Sequence, residues 1–191
     1  LDVTLRILRD EQMIKEKIRK DFCDQLVDLA GEYGLELREQ YNANIVTWNS
    51  DYGWMIFVGK KRLQSQVGFV VGNFSRKNED YGGMLYGLSI INGYFSNLGE
   101  LKNVFKIKDP NDQPLFGPEK GYHQLPENKG NFEREFPFGY SFLYDEDRAM
   151  VKNWYDWDDV QTLADMRNGK MLDFMRTRFE ILKNNGIIDK L

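Results

Sequence analysis

"NIVTWNSDYGWMIFVGKKRLQSQVGFVVGNF", residues 44–74, decides the fold class. Apolar and β-branched runs alternate there with clusters of turn residues. The spacing predicts strands over 44–48, 54–58 and 63–71, with Asn49, Ser50, Asp51 and Gly53 in one turn and Gly59 with Lys60 in the next. Connections this short join antiparallel neighbours, so the segment reads as a meander. In the third strand Leu63, Val67, Phe69 and Val71 alternate with Gln64, Gln66, Gly68 and Val70, which predicts one core-facing and one mixed face. A polar loop, "SRKNEDYGG", leads to a fourth strand over 84–91, where Met84, Tyr86, Leu88 and Ile90 share a face. Opposite them, Gly87 and Ser89 leave room for a closely packed helix. Residues 139–144, with Tyr140, Phe142 and Tyr144 alternating, predict a fifth strand.

Helices flank this sheet in the sequence. Ile14, Ile18, Phe22, Leu26, Leu29 and Ala30 recur at helical spacing from Met13 onward, and Gly31 and Gly34 supply the stop. Leu5 and Leu8 hint at an earlier start, with a break near Asp10. A short helix is expected after Asn97, whose capping-box partner is Glu100. At the other end, "YDWDDVQTLADMRNG" (155–169) mixes rings with carboxylates, as sugar or metal sites do, yet it also reads as a helix start. Asp156 is the expected N-cap, Tyr155 and Val160 the hydrophobic staple, and Val160 to Leu182 the apolar series, Arg178 joining it by its stem. Asn168 and Gly169 mark a kink. The expected architecture is therefore α+β: an antiparallel meander of about four to five strands packed against N-terminal and C-terminal helices. The chain reads as a single domain, 1–191, with a long Pro/Gly-rich loop over 109–138 that holds all five prolines.

Composition narrows the function classes. A formal net charge of −4 gives no global basic field for nucleic acid. One cysteine, Cys23, forms no internal disulfide, and a single His and a single Cys do not make the usual ligand set of a structural zinc centre. A reducing, cytoplasmic setting is expected, with no membrane partner, because no apolar run approaches the roughly 20 residues of a span. Leu1 already stands inside a helical pattern, which suggests a portion of a longer protein.

The sequence holds no GxSxG elbow, no GxxxxGK[ST] loop and no GxGxxG turn. His123 is the one imidazole available for proton transfer, and Asp145, Glu146 and Asp147 form a compact group where Mg²⁺ or Ca²⁺ could sit, although a solvated turn explains them more simply. The strongest binding candidates are basic: Lys60, Lys61 and Arg62 at one hairpin tip, Arg76 and Lys77 in the next loop. These five would meet phosphates together if the two loops converge. Basic tips also keep sheet edges soluble, the plainer explanation. Trp48, Trp54, Trp154 and Trp157 are read as core residues rather than as stacking platforms.

The charged helix "EKIRKDFCDQLVDLAGEYG", the meander from "WMIFV" to "VGFVV", the strand "MLYGLSI" and the late "WYDWDDVQTLADM" follow one another in an order that resembles the C-terminal portion of a group within the PD-(D/E)XK nuclease superfamily. The resemblance spans most of the chain and rests on element order and aromatic placement. In that family an Asp and a Glu-x-Lys or Asp-x-Lys on adjacent strands bind Mg²⁺ and poise a water. Neither Glu16-Lys17-Ile18 nor the loop string "PEKG" fits that pattern, so no catalytic residue is carried over. The resemblance implies a non-catalytic accessory domain that positions nucleic acid or a partner, with no cofactor of its own and Mg²⁺ only in a core upstream. The alternative is a stand-alone protein-interaction or ligand-binding domain; a Mg²⁺-dependent hydrolase built on Asp145, Glu146 or Asp147 ranks third.

Overall fold

The computed structural model describes residues 2–38, 52–59, 67–74, 83–90, 140–142, 154 and 159–191. Within them a helix, α1 (Asp2–Glu32), leads into five strands: β1 (Leu35–Leu37), β2 (Tyr52–Gly59), β3 (Val67–Phe74), β4 (Gly83–Ile90) and β5 (Tyr140–Phe142). Two helices, α2 (Val160–Arg167) and α3 (Lys170–Asn184), and a terminal 3₁₀ turn (Ile188–Lys190) follow. The strands lie in the order β1-β2-β3-β4-β5, each pair antiparallel, which is the expected α+β meander flanked by helices.

Register assigns the side chains to faces. Phe57 opposes Phe69, which opposes Leu88, and Met55 opposes Val71, which opposes Tyr86. These residues form the helix-facing side and meet Phe22, Leu26 and Leu29 of α1 and Met171, Met175, Phe179 and Leu182 of α3 in one apolar core. Full burial of each such side chain contributes about 1.5–3 kcal/mol. Phe179 is the hub: its ring lies 5.3 Å from Phe69, 5.5 Å from Tyr33 and 6.0 Å from Phe57.

Several local expectations change. Among the described residues the other side of the sheet is enclosed too, because Ile56, Val58, Val70 and Ser89 are buried as well. The unbroken run Met55-Ile56-Phe57-Val58 is the sequence mark of a strand enclosed on both faces. The helix α1 runs without a break at Asp10, since Asp10 lies on a solvated surface and no competing cap geometry is required there. It ends as expected near the glycines, with Gly34 at φ 80° turning the chain into β1, a strand the sequence reading did not anticipate. The strand expected over 44–48 and the helix expected after Asn97 lie outside the described residues, as does the loop 109–138. β3 covers Val67–Phe74, and residues 63–66 of the expected strand lie outside the described residues.

The cap of α2 is Asp159, not Asp156. Its carboxylate accepts the backbone N–H groups of Gln161 and Thr162, at 2.9 and 3.1 Å. Val160 is exposed, so the expected staple does not close on it; the carboxylate three residues later in the string captures the orphan N–H groups instead. The kink at Asn168 and Gly169 is present, with Gly169 at φ 85°. One further glycine matters: a Cβ on Gly59 would stand 2.9 Å from the Leu191 carbonyl carbon, so the end of β2 admits the terminal turn only because Gly59 has no side chain.

Candidate functional site

α3 has three stripes. Met171, Met175, Phe179 and Leu182 face the sheet. On one flank the helix is tied to the end of α1: Arg176 donates to Glu32 at 2.7 Å and the Tyr33 hydroxyl to Glu180 at 3.4 Å. On the other flank Lys170, Phe174 and Arg178 recur at a spacing of four, which stacks them on one face. This second flank gathers the polar chemistry of the described residues.

At its upper end Asp165, only 3% exposed, is enclosed by donors. The Trp154 indole N–H donates at 2.8 Å, the Gln161 side-chain amide at 3.0 Å and the Lys170 ammonium at 3.3 Å. Gln161 reaches it because the two are four apart on α2, and Lys170 because Gly169 turns α3 back toward α2. Burial alone would raise the Asp165 carboxyl, but the hydrogen bonds from Trp154, Gln161 and Lys170 and the positive charge of Lys170 outweigh it and hold the group below the usual carboxylate range. A carboxylate with this shell is a structural anchor. Its lone pairs are committed to Trp154, Gln161 and Lys170.

At the lower end the situation is reversed. The Arg178 guanidinium lies 4.4 Å from the Phe174 ring centroid and 5.7 Å from that of Tyr86. Phe174 meets Trp154 and Tyr86 edge-on, at 5.4 and 5.9 Å, so the rings form one connected platform from Asp165 to Arg178. The Nε of Arg178 is enclosed and has no hydrogen-bond partner among the described residues.

The second notable surface is the first half of α1. Residues 3–14 are all exposed. Val3, Leu5, Ile7, Leu8, Met13 and Ile14 stand between 50% and 70% exposed there, whereas Phe22, Leu26 and Leu29 of the same helix are buried. Leu5 and Leu8 continue the buried stripe of Phe22 and Leu26 outward; Val3, Ile7 and Ile14 form a second stripe around the helix.

The five basic candidates, Lys60, Lys61, Arg62, Arg76 and Lys77, lie outside the described residues. The strands that carry them are described, however. Lys60 follows Gly59 at the end of β2, and Arg76 is two residues beyond Phe74, which pairs with Tyr52 at the start of β2. Those two points are seven residues apart along β2, about 23 Å at the rise of a strand. His123, Asp145, Glu146, Asp147, Tyr155, Asp156, Trp157 and Asp158 also lie outside the described residues. So do two strings with Glu-x-Lys spacing, Glu100 to Lys102 and Glu127 to Lys129. Among the described residues no three His, Cys, Asp or Glu side chains converge as metal ligands, and no helix is long and apolar enough to cross a membrane. Trp154 is a core residue, as its position suggested.

Sequence reasoning counted Arg178 as an apolar stem and did not foresee the Asp165 cluster. The i, i+4 pair Gln161 and Asp165 was a legible signal; Trp154, eleven positions away, was not. Comparison with family models, with characterised proteins and with solved structures finds no match to this chain.

Proposed function

We propose that the chain is a non-catalytic binding domain, the accessory portion of a nuclease-like protein, and that it docks a protein partner through the first half of α1. The observation that carries this reading is the exposed apolar arm. Six large apolar side chains on about three turns of helix form a surface that water disfavours and a second protein would cover. Charge narrows the occupant. From Asp2 to Lys17 the helix carries Asp2, Asp10, Glu11 and Glu16 against Arg6, Arg9, Lys15 and Lys17, a balance that offers neither phosphates nor an anionic lipid surface a field. An apolar groove or helix of another protein fits it instead.

Photo-crosslinking tests the reading. A crosslinker at Ile7 or Leu8 in cells is expected to give one defined protein adduct, and the same group at exposed Asp28, on the anchored half of the helix, none. Equal yields at both sites, or none at either, would remove the arm as an interface.

A second reading, nucleic-acid positioning, is supported by the contiguous tip Lys60-Lys61-Arg62. It predicts salt-sensitive, sequence-independent binding that falls when all three become Ala and is unchanged by Leu5→Asp with Leu8→Asp. Fluorescence anisotropy with a DNA duplex measures both, and unchanged binding by the triple variant sinks this reading.

A further inference from the structure

We propose that Arg178 is an oxyanion-binding position, built to take a carboxylate or phosphate group against the ring platform of Phe174 and Tyr86. It is separate from the arm of α1 and from the basic tips, and does not depend on either.

The argument starts from what the fold does with the other charged groups around α3. Arg176, two residues earlier, donates to Glu32, and Lys170, two turns earlier, donates to Asp165. Arg178 differs from these two: its Nε–H is shut away from water with no hydrogen-bond partner among the described residues. Leaving a donor in that condition is a standing cost to the fold. A fold that needed only an apolar stem at this point would be better served by Met or Leu.

Stacking explains why the group holds still. With its centre 4.4 Å from the Phe174 centroid, the guanidinium is braced by a ring that is itself braced edge-on by Trp154 and Tyr86. Phe174 and Arg178 are both half-buried, and Nε is the guanidinium nitrogen that is enclosed without a partner. A planar fork braced against a ring, with an unpartnered N–H, matches the paired oxygens of a carboxylate or phosphate. Little side-chain entropy remains to be lost when the anion arrives, because the ring contacts have already fixed the guanidinium. Lys170 sits eight residues earlier, about 12 Å along the axis, and is held by Asp165, so it does not compete for the same anion.

The test uses the full chain and the Arg178 Nε–Hε resonance, which its enclosure protects from solvent exchange. Titration with inorganic phosphate at constant ionic strength is expected to shift this resonance saturably at millimolar concentration, together with the Phe174 and Tyr86 ring signals. The Nε–Hε signal of Arg6 on the exposed arm serves as the non-specific reference. A parallel titration with acetate identifies the source: saturation by acetate as well assigns a carboxylate-tolerant site, and saturation by phosphate alone assigns a phosphate site. In Arg178→Met, which keeps the stem, the ring shifts are expected to vanish. A response that is linear and equal to that of Arg6 in both titrations, or ring shifts that persist in Arg178→Met, would overturn the proposal.

Discussion

Asp165 and Arg178 are both charged side chains drawn partly out of water on the adjacent helices α2 and α3, and the protein treats them in opposite ways. Asp165 is given three donors, one from each of Trp154, Gln161 and Lys170. Arg178 is given rings and, at Nε, no acceptor. A third group, the Cys23 thiol, shows the remaining option: burial, with the nearby Asp24 charge adding to it, pushes it up to about 12, so it is kept neutral. The difference teaches how to separate charges that hold a fold together from one that is available to a ligand. A charge with a complete shell already has its partner within the protein.

If that contrast is sound, Asp165→Ala has the largest effect. It strands the buried Trp154 indole N–H, and a loss of about 1–3 kcal/mol is expected from that orphaned donor, while the exposed Lys170 ammonium turns to water. Asp165→Asn keeps an acceptor for the indole and should cost roughly half as much. Urea unfolding measures both. A loss below about 0.5 kcal/mol for the Ala variant, the range of an ordinary surface change, would mean that the network is incidental.

The same carboxylate gives a pH dependence of defined sign. Its folded-state pKa is depressed, so the unfolded chain binds the proton more readily and folding is favoured while the group is ionised. The contribution is fully present above the unfolded value, near 4, and is lost as pH falls through the lower folded value. Urea midpoints between pH 6 and pH 2.5 should therefore fall more steeply in the wild type than in Asp165→Asn. Parallel curves would show that the shell does not favour the charged form.

Cys23 sharpens the comparison from the neutral side. Cys23→Ser places a hydroxyl in the apolar core and should cost about 1–3 kcal/mol. In the wild type a thiol-reactive disulfide at pH 8 should label Cys23 only on unfolding, because thiolate is scarce and the sulfur is enclosed. Rapid labelling under native conditions would contradict both points.

How much of this was legible in the sequence follows from the range of the interactions. The meander was readable because strand alternation and turn residues are local, and Phe69 and Val71 sit on the face that their period assigns. Two-sided burial was written in Met55-Ile56-Phe57-Val58 but was overlooked for the alternation in the next strand. The cap of α2 slipped by three residues because Asp156, Asp158 and Asp159 each satisfy a capping pattern; tertiary position chose Asp159. The Asp165 network and the Arg178 platform were not readable, since Trp154 and Tyr86 come to them from other elements. Exposure of the α1 arm was hidden for the same reason: Leu5 and Leu8 continue the periodicity of Phe22 and Leu26, and only the fold shows that nothing among the described residues covers them.

Arg178→Met is the smallest expected effect and the most pointed. Arg178 contributes its stem to the cover of Tyr86 and Phe174, and Met supplies a stem of similar reach. What the substitution removes is the enclosed Nε–H, whose lack of a partner is a standing cost, and the cation–π contact, which offsets it in part. The two nearly cancel, so unfolding stability should stay within about 0.5 kcal/mol of the wild type or rise slightly, as replacement of imperfectly paired charges by apolar side chains often does. A loss as large as that of Asp165→Ala would place Arg178 with the structural charges, paired to something the comparison leaves out. An unchanged or raised stability would leave an arginine that the fold keeps without needing it, which is the condition a binding residue satisfies.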